Sequence, residues 1–237
     1  MEYTHRLPFI FTTNPVTLLL LLPITHYNEY ILNQWSYRML GPHIITTVNQ
    51  KVLGFLAKFS DDEFYERQVA RRLNIAYGSA NHSLNQLFST STIKRRQEGK
   101  MFFYSIDASN PSVIEFKKLV NLLLLEPLVE SLQKIASRIV LYGSCAQGTD
   151  TSQSDLDLFV VTNNKESAAD VVSGFNLPRG FENIRIQPVL KTPIELLQAG
   201  ESERAFIEEV ERGIVLWEKV AAEKFIGRAK SLLGIEK

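Results

Sequence analysis

A Gly-Ser step closing one apolar run, followed eleven residues on by alternating aspartates that open a second, constrains this chain more than any other feature. The first run is Arg138-Ile-Val-Leu-Tyr-Gly-Ser144 and the second is Asp155-Leu-Asp157-Leu-Phe-Val-Val161. Ile139 to Tyr142 has the composition of a buried strand, and a glycine at its end lets backbone approach a ligand that a side chain would obstruct. A helix starting just after Ser144 would add free N–H groups and the positive end of its dipole to the Ser144 hydroxyl, a combination that suits phosphate. On the second run, a period of two puts Asp155 and Asp157 on one face while Leu156 and Leu158 enter the core. Two carboxylates so placed repel unless a cation neutralises them, and a hard oxygen-seeking ion shared with substrate phosphates fits that need.

These residues resemble the nucleotidyltransferase superfamily of DNA polymerase beta type, whose signature is a strand, Gly-Ser, a short spacer, then Asp-x-Asp on the next strand. The resemblance implies an α/β (α+β) domain with a mixed sheet and flanking helices. It makes Gly143 and Ser144 nucleotide-binding residues and Asp155 and Asp157 catalytic metal ligands. Mg2+ or Mn2+ is the implied cofactor, and a nucleoside triphosphate, ATP first, the implied substrate. Two departures stand out: small nucleotidyltransferases often carry Arg where Gln147 stands in Gly-Ser-x-Ala-x-Gly, and the family places a third carboxylate on a neighbouring strand. Here that strand is expected over Asn183 to Leu190, where Arg185 and Gln187 share the face. Gln187 offers only a neutral oxygen, so Glu182 or Glu195 would have to fold inward. Two functions stay open: transfer of a nucleoside monophosphate to an acceptor, or a DNA-binding regulator or partner-docking protein with a catalytically impaired nucleotidyltransferase fold.

Upstream, the pattern is helical from Thr47, with Val52, Phe55, Leu56 and Phe59 on one stripe, and again over Glu66 to Leu73 with Val69, Ala70 and Leu73 inward. The segment Asn74-Ile-Ala-Tyr-Gly78 reads as a turn into a third helix from Ser79, its expected cap, to about Phe88. Thr92 to Arg96 and Met101 to Ile106, joined through a turn containing Gly99, read as a hairpin. Three helices and a basic hairpin resemble a winged helix-turn-helix, which implies duplex DNA as partner. Asn81, His82, Asn85 and Gln86 would face base edges, and Lys94, Arg95, Arg96 and Lys100 would grip phosphates. Such modules also dock proteins, and the hairpin can equally be a solvated face.

The division expected is an N-terminal extension at 1–43, a winged helix-turn-helix at 44–108, a helical linker at 109–136 and a nucleotidyltransferase domain at 137–237. Pro127 should break or kink the linker. Its four consecutive leucines, Leu122 to Leu125, suit either packing between domains or the seam of a homodimer. Helices are expected from Thr192, over Glu201 to Arg212 and over Val220 to Leu233, with a strand over Ile214 to Trp217. In the extension, Leu18 to Leu22 is too short to cross a bilayer and lacks the flanks of a signal peptide. A translation start at Met39 would leave most of it untranslated. Formal charge is zero, so attraction to nucleic acid must come from a local patch. The single cysteine, Cys145, fits a reducing cytoplasm and reads as buried packing, and the four histidines (His5, His26, His43, His82) lack metal-ligand spacing. By analogy with minimal nucleotidyltransferase antitoxins, a HEPN-type ribonuclease toxin is the protein partner or acceptor to consider.

Overall fold

The computed structural model describes residues 44–198 and 200–219. The expected extension, the Met39 start and the closing helix from Val220 lie outside the described residues.

Helix α1 (Val48–Lys58) begins with a reciprocal capping box between Thr47 and Gln50 and buries Val52, Phe55 and Leu56. Strand β1 (Phe64–Tyr65), helix α2 (Glu66–Leu73), helix α3 (Tyr77–Ser89), strand β2 (Lys94–Glu98) and strand β3 (Met101–Ser105) follow. The strands form an antiparallel sheet in the order β1-β3-β2. Glu66 to Leu73 is helical as expected, and Asn74 ends it in the left-handed region at φ 52°. Helix α3 starts two residues earlier than the sequence suggested, so Ser79 lies in its first turn and does not cap it. Local bonding accounts for this: Ile75 N–H donates to the Ala70 carbonyl and the Tyr77 hydroxyl to Glu66, pinning the turn before Ser79 is reached.

Helix α4 (Pro111–Leu132) opens on an Asn110 cap and runs unbroken through Pro127. A proline removes one intrahelical bond, but Leu124, Leu125, Leu128, Val129 and Leu132 are buried around it, and that packing overrides the expected break. The region expected as a helical linker is helical, and Leu124 and Leu125 of its leucine run are buried.

Beyond it come strand β4 (Ala136–Leu141), the single-turn helix α5 (Gly143–Gln147), strand β5 (Leu156–Thr162), helix α6 (Lys165–Ser173), strand β6 (Ile186–Lys191), helices α7 (Pro193–Leu197) and α8 (Glu201–Glu211), and strand β7 (Ile214–Glu218). Their sheet has the order β6-β5-β4-β7, with β5 and β6 parallel and the other pairs antiparallel. The mixed sheet expected from the sequence is therefore present. Val140, Tyr142, Phe159, Val161 and Val210 form one core on it, with Phe206 packed against them. No helix among the described residues is long and apolar enough to cross a membrane.

One buried polar cluster joins α1, α4 and the segment between α5 and β5. Lys58 Nζ donates to Asp150 Oδ2 at 2.6 Å and to Asn121 Oδ1 at 2.9 Å. Asn121 Nδ2 donates to the Cys145 carbonyl at 3.0 Å and to Asp150 Oδ1 at 3.2 Å. Lys117 Nζ reaches the Ser60 hydroxyl and the Asp150 carbonyl, and burial holds its pKa below the usual lysine value. Lys58 and Asn121 are 0% exposed and Asp150 1%, so water cannot replace any lost partner. Asp150→Ala, which strands Lys58, is expected to cost about 3–5 kcal/mol in a denaturant melt, while the apolar pair Lys58→Met with Asp150→Leu recovers most of it. A single-variant loss under ~1 kcal/mol would show that the cluster is hydrated and structurally minor.

Candidate nucleotide and metal site

The Gly-Ser step and the aspartates meet because their strands are neighbours. Leu141 pairs with Leu158, and one residue further on the Tyr142 N–H donates to the Asp157 carbonyl at 3.1 Å. Gly143 then turns the chain at φ +69°, and a Cβ there would stand 2.8 Å from Asp157 Oδ2. Only glycine gives both the conformation and the clearance. Helix α5 begins at Gly143, with Tyr142 as its N-cap residue, two positions earlier than the sequence suggested; the half-buried Ser144 follows in the same turn. The Cys145 thiol donates to the Asp155 carbonyl at 3.2 Å, so the short helix contacts both aspartate positions. Burial pushes that thiol up to about 12, which makes Cys145 a packing residue and not a nucleophile.

Leu156 and Leu158 are fully buried while Asp155 and Asp157 are half-buried, as the alternation required. Burial first, then the charges of Asp155 and Glu209, hold the Asp157 carboxyl above the usual aspartate range. Burial with Asp157 and Glu209 likewise pushes the Tyr142 hydroxyl up to about 12. Glu209, exposed on α8, is the acidic neighbour that sequence reasoning missed. Its only signal is indirect: it precedes Val210, which anchors α8 in the core beside Tyr142.

Strand β6 lies parallel to β5 and sets Gln187 in register with Asp157, so the expected neighbouring strand carries an amide at that point. Arg185 is exposed just before β6, and its carbonyl accepts from Leu156 N–H. Glu182 accepts from the Gly180 N–H. Glu195 caps α7 with Thr192 and pairs with Lys165 at 2.6 Å, which lowers its carboxyl to about 2. Both candidate replacements are thus engaged away from the aspartates. Among the described residues no group of three His, Cys, Asp or Glu side chains is placed to hold a metal ion. Asp155 and Asp157 are the residues that would hold a divalent cation, and carboxylate oxygens suit a hard ion such as Mg2+.

The expected DNA-facing residues are largely engaged within the fold. Asn81 donates to Glu66 at 2.8 Å, Asn85 to Asn81, and Gln86 accepts from Asn49 at 2.9 Å. Arg95 lies over the rings of Phe88 and Phe102 at 4.0 and 4.5 Å. Arg96 is held by Glu63 and Glu98, and Lys94 pairs with Asp107 at 3.3 Å. Lys100, in the hairpin turn, has no ion-pair partner among the described residues.

What the second sheet and its aspartates define is a mixed α/β domain that holds the Asp157 carboxylate against a glycine turn, with Asp155 two residues earlier on the same face. Residues 125–221 match the family described as polymerase beta, nucleotidyltransferase. Two solved structures are similar to the chain at low scores. Reduced HlyU from Vibrio cholerae N16961 has 17% identity over 43% of this chain and 90% of that one, with a TM-score of 0.26. NolR from Sinorhizobium fredii has 14% identity over 47% of this chain and 96% of that one, with a TM-score of 0.25. No curated protein matches the chain.

The raised Asp157 carboxyl has a thermodynamic consequence. The folded state binds that proton more tightly than the unfolded chain, so the resulting stabilisation is present at acid pH and is lost as pH rises through the raised value. With chelator present at neutral pH, Asp157→Asn should therefore melt above wild type, and the gap should shrink as pH falls. A variant that melts below wild type at neutral pH would contradict this reading.

Proposed function

We propose that this chain transfers a nucleoside monophosphate from a nucleoside triphosphate to an acceptor hydroxyl. The observation that carries the proposal is the approach of Gly143 to the Asp157 carboxylate, with Cys145 tied to Asp155. In this reading the Gly143 and Ser144 N–H groups and the Ser144 hydroxyl receive the phosphates. Asp155 and Asp157 hold the Mg2+, which when bound offsets charge developing on the phosphates. The acceptor oxygen bonds to the alpha phosphorus as the bond to the departing pyrophosphate breaks. The buried Leu156 and Leu158 keep the strand rigid, so the two carboxylates are positioned before substrate arrives.

A second reading is favoured by Gln187, which stands beside Asp157 where the family resemblance implies a carboxylate. With less negative charge, the site would bind nucleotide without turnover, and the first module would read duplex DNA in response. Its helix, strand, helix, helix and hairpin follow the order of a winged helix-turn-helix, and in this reading α3 would be the element that enters the major groove.

Incubation with ATP labelled at the alpha phosphate, Mg2+ and candidate acceptors, RNA ends and a HEPN-type ribonuclease among them, separates the readings. The enzyme reading predicts acceptor labelling that falls at least ~100-fold in Asp155→Asn. Nucleotide binding without labelling of any acceptor supports the regulator. Gly143→Ala should also lose labelling, because the new methyl displaces the Asp157 carboxylate while the strand stays folded.

A further inference from the structure

We propose that a basic depression between α2 and the segment 178–181 binds the phosphodiester backbone of duplex DNA, so that both modules grip one duplex. The proposal rests on the DNA-binding reading of the first module and moves its phosphate grip away from the hairpin.

The depression has a volume of about 410 Å³ and is lined by Arg67, Arg71, Asn74, Tyr77 and Arg179, among others, with no carboxylate. Arg67 and Arg71 are one helical turn apart on α2, so their side chains project from the same face. All three arginines are exposed, and none of them forms an ion pair among the described residues. The nearby acids are already engaged: Glu66 accepts from the Tyr77 hydroxyl at 2.6 Å and from Asn81, and Glu182 accepts from the Gly180 N–H while facing Arg179 and Arg72. The hairpin shows the opposite pattern, since Lys94 and Arg96 are neutralised by Asp107, Glu63 and Glu98. Positive charge outside any ion pair can release counterions from DNA, and here it lies beside the α2–α3 turn.

Arg179 is held in place from the second module. Gly180, at φ +96°, sits so tightly on α2 that a Cβ would stand 3.2 Å from Leu73 Cδ2 and 3.3 Å from the Arg72 carbonyl. Phe181 stacks on Phe59 of the first module with ring centroids 6.0 Å apart and planes 14° apart. The backbone beside Arg179 is therefore packed against the helix that carries Arg67 and Arg71. Guanidinium forks match phosphate oxygens in pairs, and the helix before the reading helix is the one that crosses the DNA backbone in this architecture. The open shape of the depression suits a passing strand better than an enclosed mononucleotide.

The test is fluorescence anisotropy of the full chain against a labelled mixed-sequence DNA duplex across a salt series. Arg179→Ala should reduce the slope of log affinity against log salt by about 1, and Arg67→Ala with Arg71→Ala by about 2. Arg95→Ala with Arg96→Ala should leave the slope close to wild type. Arg179→Lys retains the charge and should keep most of the slope, which separates loss of a phosphate contact from loss of folding. If wild type binds duplex and only the hairpin variant loses slope, this proposal fails and the DNA-binding reading survives. If wild type shows no duplex binding, both fail together. Tighter binding to single-stranded RNA or to free ATP, lost in the same arginine variants, also overturns it.

Discussion

Asp150 is the residue on which the candidate site depends, although it touches no reacting group in the proposed chemistry. It sits in the middle of the connection between the Gly-Ser turn and the aspartates, and Lys58, Asn121 and Lys117 hold both its carboxylate and its carbonyl. The same connection is fixed on either side. Gly148 packs so closely on α4 that a Cβ would stand 2.6 Å from the Ile114 carbonyl, and the Ser152 N–H and hydroxyl both donate to Asp61 at 2.8 Å. A spacer of polar residues would otherwise be free to wander. Anchored in this way, it returns the chain to β5 with Asp155 beneath Cys145 and Asp157 beside Gly143. The geometry proposed for nucleotide binding is therefore supported by α1 and α4, outside the segment that carries the motif.

That dependence explains what could be read in advance. Local patterns were legible: the stripe Val52, Phe55, Leu56 gave α1, the alternation around Asp155 and Asp157 gave β5, and Gly99 with its apolar and basic flanks gave the hairpin. Gly143 and Ser144 were legible because a glycine ending an apolar strand has few other uses. Long-range partners were not. Lys58, Lys117 and Asp150 look like surface charges in a sequence, since no periodicity announces that three distant segments bury them together. Strand β1 spans only Phe64–Tyr65 and owes its existence to pairing with β3. Pro127 leaves α4 unbroken for a related reason: its cost is local and the packing that outweighs it is tertiary.

Asp157 is held partly out of water, beside a like charge and a glycine that leaves it almost no room, and its carboxyl is pushed up as a result. Gln187, in register with Asp157 on the adjacent strand, adds no further charge there. In the first module, by contrast, most hairpin cations have carboxylate or aromatic partners, so a basic run in the sequence did not translate into available charge.

Electron paramagnetic resonance of Mn2+, titrated into the chain with a non-hydrolysable ATP analogue, reads cation uptake at Asp155 and Asp157. If the twin aspartates share one cation with bound phosphates, wild type will take up a single ion per chain, more tightly with nucleotide than without, and Asp155→Asn or Asp157→Asn will abolish that uptake. Uptake that is unchanged in both variants, or indifferent to nucleotide, would contradict the account.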